Sequence, residues 1–208
     1  AGAGEYFTGN YSIRLDFTPV STNEIEPNDT FATAQAVGNG SAITGTIDCD
    51  NWIDMYKVTL NFAGNVSLDV TSYMKAYDLF LYNASEKEIW ERTDNYLTNN
   101  AESRNDVYDL YLEAGTYYIK ITDDVDERYA YSGLYNLKFT CTEGYTSFQG
   151  DDESAATANP INLNQTYTGQ ISLDENYDTY YFSLPQAGTL PLTFTTDPYV
   201  DLAIYNAN

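Results

Sequence analysis

Apolar and polar residues alternate along most of the chain, in short runs separated by turn residues. In a strand, alternate side chains point to opposite faces, so this period of two predicts β-strands with one buried face. A βαβ protein would instead need helical-period segments between the strands, and none longer than a turn is present. The chain is therefore predicted to be all-β, built of tandem antiparallel β-sandwich domains of Ig-like type. The predicted strands cover 54–60, 66–70, 78–82, 106–112, 116–121 and 134–139.

The sequence also repeats itself at an offset of 124 residues. Asp54 falls on Asp178, and Tyr56 falls on Tyr180. After a one-residue deletion, residues 78–84 match residues 201–207. The same offset extends to the beginning of the chain, where Gly9, Tyr11 and Arg14 fall on Gly133, Tyr135 and Lys138.

This offset predicts three units. Residues 22–145 form a complete sandwich, residues 1–20 correspond to the last strand of a repeat, and residues 146–208 form a partial sandwich that needs strand completion. Because the chain begins at Ala1 rather than Met, we expect a mature or excised segment. A fragment of a longer tandem array is the other explanation of the broken repeats.

The isolated strand at the beginning of the chain has to be buried against something. Its large apolar residues share one face at period two. The strand could fold back onto its own C-terminal unit or enter that unit in another copy. The second arrangement is favoured, since a whole domain and a short linker separate the strand from its own chain's partial unit. Repeating it gives an open fibre by donor-strand exchange. The proposed donor residues are Tyr11, Ile13, Leu15 and Phe17.

Composition narrows the function. The chain of 208 residues has 21 tyrosines and 9 phenylalanines, which suits sheets, and its 9 basic against 31 acidic residues give a formal charge of −22. Such a charge argues against nucleic-acid binding and against docking on anionic membranes. The absence of histidine excludes His-based catalysis and His-ligated zinc. No apolar run is long enough for a membrane-spanning helix.

The acidic segment at the beginning of the complete unit, residues 23–29, is a candidate metal site. Glu24, Glu26 and Asp29 lie around Pro27, which stiffens the backbone. Hard oxygen ligands on a stiff segment suit calcium, whereas a solvated acidic linker is the plainer alternative. Asp29 or Thr30 could also cap a short helical turn through residues 31–36.

An ordered set of motifs carries a family resemblance. Glu24-x-Glu26-Pro27-Asn28-Asp29 is followed by Gly45-Thr46-Ile47, Asp54-x-Tyr56, Leu79-x-Leu81-Tyr82 and 114–119. Together they resemble bacterial pre-peptidase C-terminal domains, relatives of the collagen-binding domains of secreted collagenases. The resemblance implies a jelly-roll-like sandwich, secretion and calcium at the N-terminal segment. The ligands that it implies are Glu24, Glu26, Asn28, Asp29, Asn51 and Asp54. A weaker second site would use Asp152, Glu153, Glu175 and Asp178.

The two cysteines, Cys49 and Cys141, both fall in the complete unit. Their counterparts in the other copies, Leu173 and Phe17, are both apolar. Because both cysteines are missing together from the other copies, a disulfide between them is favoured. The alternative is two buried free cysteines.

No sequence feature points to catalysis. The carboxylates concentrate at turns, and neither a nucleophile elbow nor a phosphate-cradling glycine loop is present. The sequence therefore predicts a non-catalytic structural protein at the cell surface or outside the cell, with other copies of itself as partners in a fibre. The alternative is a calcium-dependent tandem module that tethers a secreted hydrolase to collagen or another extracellular polymer.

Overall fold

The computed structural model describes residues 10–16, 22–48, 50–93, 103–123, 132–144, 152–173, 176–196 and 200–206. Within these ranges the chain forms eleven β-strands and no helix. The strands are β1 (Gln35–Ala36), β2 (Ala42–Ile47), β3 (Ile53–Leu60), β4 (Gly64–Ser72), β5 (Asp78–Tyr82), β6 (Glu88–Arg92), β7 (Arg104–Leu112), β8 (Gly115–Thr122), β9 (Gly133–Glu143), β10 (Asn159–Pro160) and β11 (Tyr180–Tyr181).

The strands from β1 to β9 form a sandwich of two sheets. One sheet has the order β1-β3-β8-β5-β6, and the other has the order β2-β9-β4-β7. All neighbouring pairs are antiparallel except the short β1, which runs parallel to β3. β10 and β11 form a separate parallel pair.

The core lies between the two sheets and is built from the alternate residues of each strand. β4 buries Val66, Leu68 and Val70 while the intervening residues are more exposed. The same core takes Val58 from β3 and Ile119 from β8. The alternation in the sequence thus becomes one buried face per sheet, and the predicted all-β sandwich is confirmed.

Each of the six predicted strands overlaps an observed strand, and the observed ones extend further at most ends. The strand β6 was not predicted. It pairs only with β5, at the edge of its sheet. Its Ile89 and Trp90 are adjacent and half-buried, so the residues show no clean alternation.

The predicted helical turn over residues 31–36 is wrong in its second half. A turn does form at 31–33, where the Thr33 N–H donates to the Thr30 carbonyl at 3.0 Å. The next residues then extend into β1 because Gln35 and Ala36 pair with Tyr56 and Lys57 of β3. Pairing with the sheet therefore overrides the local helical preference.

The local geometry recurs at the offset of 124. Gln35 pairs with Tyr56 in the first unit, and Asn159 pairs with Tyr180 in the second. Both pairs are parallel, and the turns before them are closed by the same Ser/Thr hydroxyl contacts. Two backbone hydrogen bonds also recur: Met55 N–H to the Asn28 carbonyl at 2.9 Å, and Thr179 N–H to the Asp152 carbonyl at 3.0 Å.

The disulfide predicted between Cys49 and Cys141 finds no support. Cys141 is a buried free thiol on β9, opposite Val66. Ile47, two residues before Cys49, pairs with Gly133, eight residues away from Cys141 along β9. At about 3.3 Å per residue this is roughly 26 Å, whereas bridged Cα atoms lie within about 7 Å. Cys49 itself lies outside the described residues.

Candidate functional site

The acidic segment is anchored along the edge strand β2. The Asn23 N–H donates to the Thr44 carbonyl at 3.2 Å, and the Thr44 N–H donates back to Asn23 Oδ1 at 2.6 Å. Asn23 Nδ2 also donates to the Ala42 carbonyl at 2.9 Å. The next residue of the segment, Glu24, accepts a hydrogen bond at its Oε2 from the Thr46 N–H at 3.0 Å. These contacts aim the Glu24 carboxylate at the end of the sandwich.

Asn28 fixes the other end of this segment. Its carbonyl accepts the Met55 N–H at 2.9 Å, and its own N–H donates to Glu26 Oε2 at 3.0 Å. The Asn28 side chain is fully buried, and its Nδ2 reaches Glu24 Oε1 at 3.5 Å. The segment is therefore pinned to β2 on one side and to β3 on the other.

Three carboxylates converge as a result. Glu24, Glu26 and Asp54 each offer an oxygen, and these oxygens all lie within 4.8 Å of one another. We call these three residues the acid cluster. Asp54, the second residue of β3, is fully buried, Glu24 is half-buried, and Glu26 is exposed. The ion pairs Arg14–Asp16 and Arg104–Asp106 do not involve the acid cluster.

Neutral donors surround the acid cluster. Asn51 Nδ2 donates to Glu26 Oε1 at 2.6 Å and to Asp54 Oδ1 at 3.1 Å. The Tyr135 hydroxyl of β9 donates to Asp54 Oδ2 at 2.5 Å, and the Tyr56 hydroxyl of β3 donates to Glu24 Oε1 at 2.9 Å. The two tyrosine hydroxyls also contact each other.

A glycine makes room for these tyrosines. Gly45 of β2 pairs with Tyr135, and a Cβ on Gly45 would lie 2.3 Å from the Tyr135 hydroxyl oxygen. That distance is far below van der Waals contact, so a larger residue at position 45 would displace the hydroxyl from Asp54.

Burial and repulsion from neighbouring carboxylates raise the pKa of Asp54 and of Glu26. Burial, a hydrogen bond with Glu24 and the charges of Glu24 and Glu26 raise the pKa of Asp54 to about 9, against the opposing hydrogen bond from Tyr135. Burial also raises the pKa of Glu26. Burial raises the pKa of the Tyr135 hydroxyl as well, so this group stays a donor. The cluster therefore needs protons or a cation to offset its charge.

The donor set fits calcium. Its atoms are carboxylate and amide oxygens, which calcium prefers. Asn28 adds an independent sign: its buried Oδ1 has no hydrogen-bond partner, and such an orphaned acceptor calls for a ligand. Glu24, Glu26, Asn28 and Asp54 would hold the ion, and Asn51 would join them if its amide presented oxygen instead of nitrogen.

The structure brings together five of the six implied ligands. Asp29 is exposed and does not belong to the acid cluster. Sequence reasoning did not identify Tyr56 and Tyr135 as part of the site. A signal was available, because both recur at the offset of 124, as Tyr180 and Tyr11.

The weaker second site is only partly assembled. Asp152 is buried and takes the place of Asn28, and its Oδ1 likewise has no partner. Burial and the nearby charge of Asp152 raise the pKa of Asp178, which accepts a hydrogen bond from the Tyr180 hydroxyl at 3.3 Å. Glu153 is exposed, and Glu175 lies outside the described residues.

No family model and no curated protein matches the chain. Among solved structures, it is similar to the pre-peptidase C-terminal domain of a collagenase from Bacillus anthracis. The identity is 18% and the TM-score 0.39, covering 56% of this chain and 100% of that one. A family 35 carbohydrate binding module from an environmental isolate follows with 13% identity and a TM-score of 0.27, covering 60% of this chain and 91% of that one. At these values the likeness extends to the fold at most, and function has to be inferred from the residues.

The raised pKa of Asp54 predicts that the calcium-free protein loses stability as pH rises. An ordinary aspartate titrates near pH 3.9, so the folded state holds a proton that the unfolded state has released. The stability from this proton is fully present below about pH 4 and is lost between there and about pH 9, by up to about 1.4 kcal/mol per pH unit.

Urea unfolding in chelator at pH 5 to 9 measures this effect. Asp54→Asn should flatten the pH dependence, because an amide keeps the neutral shape at every pH. Parallel pH profiles for the wild type and this variant would show that Asp54 titrates normally.

Proposed function

We propose that the chain is a non-catalytic extracellular module whose complete sandwich binds calcium at the acid cluster. The observation that carries this proposal is the convergence of Glu24, Glu26 and Asp54 beside the orphaned buried oxygen of Asn28. A divalent ion there would replace repulsion among three carboxylates with attraction to all of them. It would hold the acidic segment against β2 and β3 at once.

A structural role suits the way the carboxylates are held. Glu24 accepts from a backbone N–H and a tyrosine, and Asp54 accepts from Tyr135 and Asn51. These contacts fix the carboxylates in place, as a binding site requires. A general acid or base would need an accessible carboxyl group that is free to exchange protons. Asp54 is fully buried, and both oxygens of the exposed Glu26 already accept hydrogen bonds from Asn28 and Asn51.

We further propose that the module tethers its protein to an extracellular polymer. In support, the outer side of the β1-β3-β8-β5-β6 sheet carries a cluster of partly exposed aromatic rings. Phe31 packs edge-on against Tyr82 at 5.2 Å and against Tyr118 at 5.1 Å, and Phe80 lies beside Tyr82. We call these four residues the aromatic face. The rings offer apolar contact area next to two ammonium groups, since Lys57 lies over the Tyr118 ring and Lys120 over the Phe80 ring. Such a surface suits a sugar chain or a collagen-like peptide.

A second candidate function is a fibre subunit that assembles by donor-strand exchange. The observation that favours it is the exposure of apolar side chains in two places. Tyr11, Ile13 and Leu15 are almost fully exposed, and Leu192 and Phe194 are about half exposed. Phe17, the fourth proposed donor residue, lies outside the described residues. Pairing the two segments between copies would place these apolar side chains next to one another on one face of a sheet.

Calcium should raise the melting temperature of the full chain. At a hundredfold excess over its Kd, a ligand that binds only the folded state adds about 2.7 kcal/mol, which corresponds to a shift of several degrees. Asp54→Asn should lose most of this shift, whereas Asp109→Asn, the same change at an exposed position of β7, should keep it.

Terbium provides a second readout for the same variants. Tyr56 and Tyr135 contact the acid cluster, so excitation of tyrosine should sensitise terbium bound there. A melting temperature unmoved by chelator, together with no sensitised emission, would contradict the calcium proposal.

Polymer tethering should depend on the aromatic face. The full chain should co-sediment with insoluble collagen or cellulose, and Tyr118→Ala should weaken binding roughly fivefold, from the loss of about 1 kcal/mol of ring contact. Tyr111→Ala on the other sheet, at an exposed position, is the matched control. Equal binding by both variants, or no binding to either polymer, would rule out this role for the face.

The fibre candidate predicts filaments at high protein concentration. Electron microscopy of the full chain should show regular filaments, and deletion of residues 1–18 should abolish them while leaving the complete sandwich folded. A monomer whose size is the same with and without those residues would count against the fibre.

A further inference from the structure

Residues 10–16 belong to no strand or helix. Its apolar side chains recur at every second position, and Tyr11, Ile13 and Leu15 are 91%, 87% and 93% exposed. The polar residues between them are typical of a strand with one buried face. The segment therefore has the sequence pattern of a strand with one buried face, although its apolar side chains are exposed.

A complementary surface lies on residues 188–196. Here Leu190, Leu192 and Phe194 alternate with polar residues or proline and are 39%, 56% and 48% exposed. The offset of 124 places them on the buried residues of β4, which form the centre of the complete sandwich. Positions that are buried in one unit are therefore exposed in the other.

The complete sandwich shows which strand lies beside these positions in the sheet. β9 lies between β2 and β4 and pairs with both. Leu68 of β4 pairs with Phe139, and Val70 pairs with Leu137. On its other side, β9 pairs with β2, where Gly45 lies opposite Tyr135.

The offset of 124 transfers these pairs of residues from β4 and β9 to the two exposed segments. Phe139 corresponds to Leu15 and Leu137 to Ile13, while Leu68 and Val70 correspond to Leu192 and Phe194. We propose that residues 10–16 of one copy insert as a strand between residues 166–171 and 188–196 of a second copy. Leu15 then lies opposite Leu192, and Ile13 lies opposite Phe194. This register rests on the fibre candidate and gives it a defined interface.

The inserted strand also completes the second acidic site. Tyr135 corresponds to Tyr11, so the Tyr11 hydroxyl would donate to Asp178 as Tyr135 donates to Asp54. Gly169 then lies opposite Tyr11, as Gly45 lies opposite Tyr135. A Cβ on Gly169 would lie 2.5 Å from Asp178 Oδ2, so a larger residue at position 169 would displace the carboxylate that Tyr11 is to reach. The orphaned Asp152 Oδ1 marks the same corner as incomplete within one chain.

A second copy is the occupant that fits best. Within one chain, the segment and the surface are exposed at the same time, so they are not each other's partners there. The acidic segment, which follows residues 10–16 in sequence, is held on β2 of the complete sandwich through Asn23. Insertion into a neighbour requires no release of these contacts.

Selective cross-linking between chains tests this register. In a background of Cys49→Ser and Cys141→Val, chains with Leu15→Cys are mixed with chains that carry Leu192→Cys under mild oxidation. The expected product is a reducible covalent dimer in high yield, because directly opposite residues have Cα atoms about 4.5–5.5 Å apart. The matched control replaces Leu192→Cys by Thr193→Cys, whose side chain points to the opposite face, and its yield should be at least tenfold lower.

Each other outcome overturns part of the proposal. Equal yields in the two mixtures would mean unspecific contact and would overturn the register. A chain carrying both Leu15→Cys and Leu192→Cys that links internally, as a compact monomer, would place the segment in its own chain. Filaments without the selective dimer would leave the fibre standing and refute this register. Neither filaments nor dimer would refute both.

A peptide of residues 9–19 provides a measurement that does not depend on the cysteine variants. The fluorescein-labelled peptide should bind saturably to the chain that lacks residues 1–18, as followed by anisotropy. The same peptide with Ile13→Asp and Leu15→Asp should bind at least tenfold more weakly, since both charges would be buried. Equal affinity of the two peptides would overturn the proposal.

Discussion

Mutual repulsion among three carboxylates is the constraint on which the best-defined part of this molecule depends. Glu24, Glu26 and Asp54 come from two segments 30 residues apart and are held within 4.8 Å of one another. Such a cluster is unfavourable unless protons, donors or a cation offset its charge. Asn51 and Tyr135 supply donors from two further points of the fold. The site is therefore where the acidic segment, β3 and the last strand of the sandwich meet.

This arrangement explains why the acidic segment is part of the domain and not a linker. A linker would be solvated, whereas Asn28 is fully buried and bonded to β3 through its backbone. The same bond recurs between Asp152 and Thr179, where the surrounding carboxylates differ. The backbone geometry is thus common to both units, while the chemistry of the site depends on the side chains of each.

Much of the fold could be read from the sequence, since alternation of apolar residues directly reflects a buried face. The three residues of the acid cluster were also among those that the family resemblance implied, through a motif in which carboxylates flank Pro27. The features that could not be predicted depend on pairing between strands that are distant in sequence. The participation of Tyr135 follows from the register between β2 and β9, and no local pattern encodes that register. Likewise, Ile47 lies far from Cys141 because β2 and β9 run in opposite directions. The disulfide was inferred from the absence of both cysteines in the other copies, and that absence carries no information about strand direction.

The contacts of Asn23 have a mechanical consequence. Its hydrogen bonds to Ala42 and Thr44, and that of Glu24 to Thr46, cross between two backbone segments that run side by side. Tension along the acidic segment would load these bonds in shear, so that they must rupture together and not one after another. An ion bridging Glu24 and Asp54 would add its own bonds to the same parallel set. The junction would then resist pulling in flowing or contracting surroundings far better than its small number of contacts suggests.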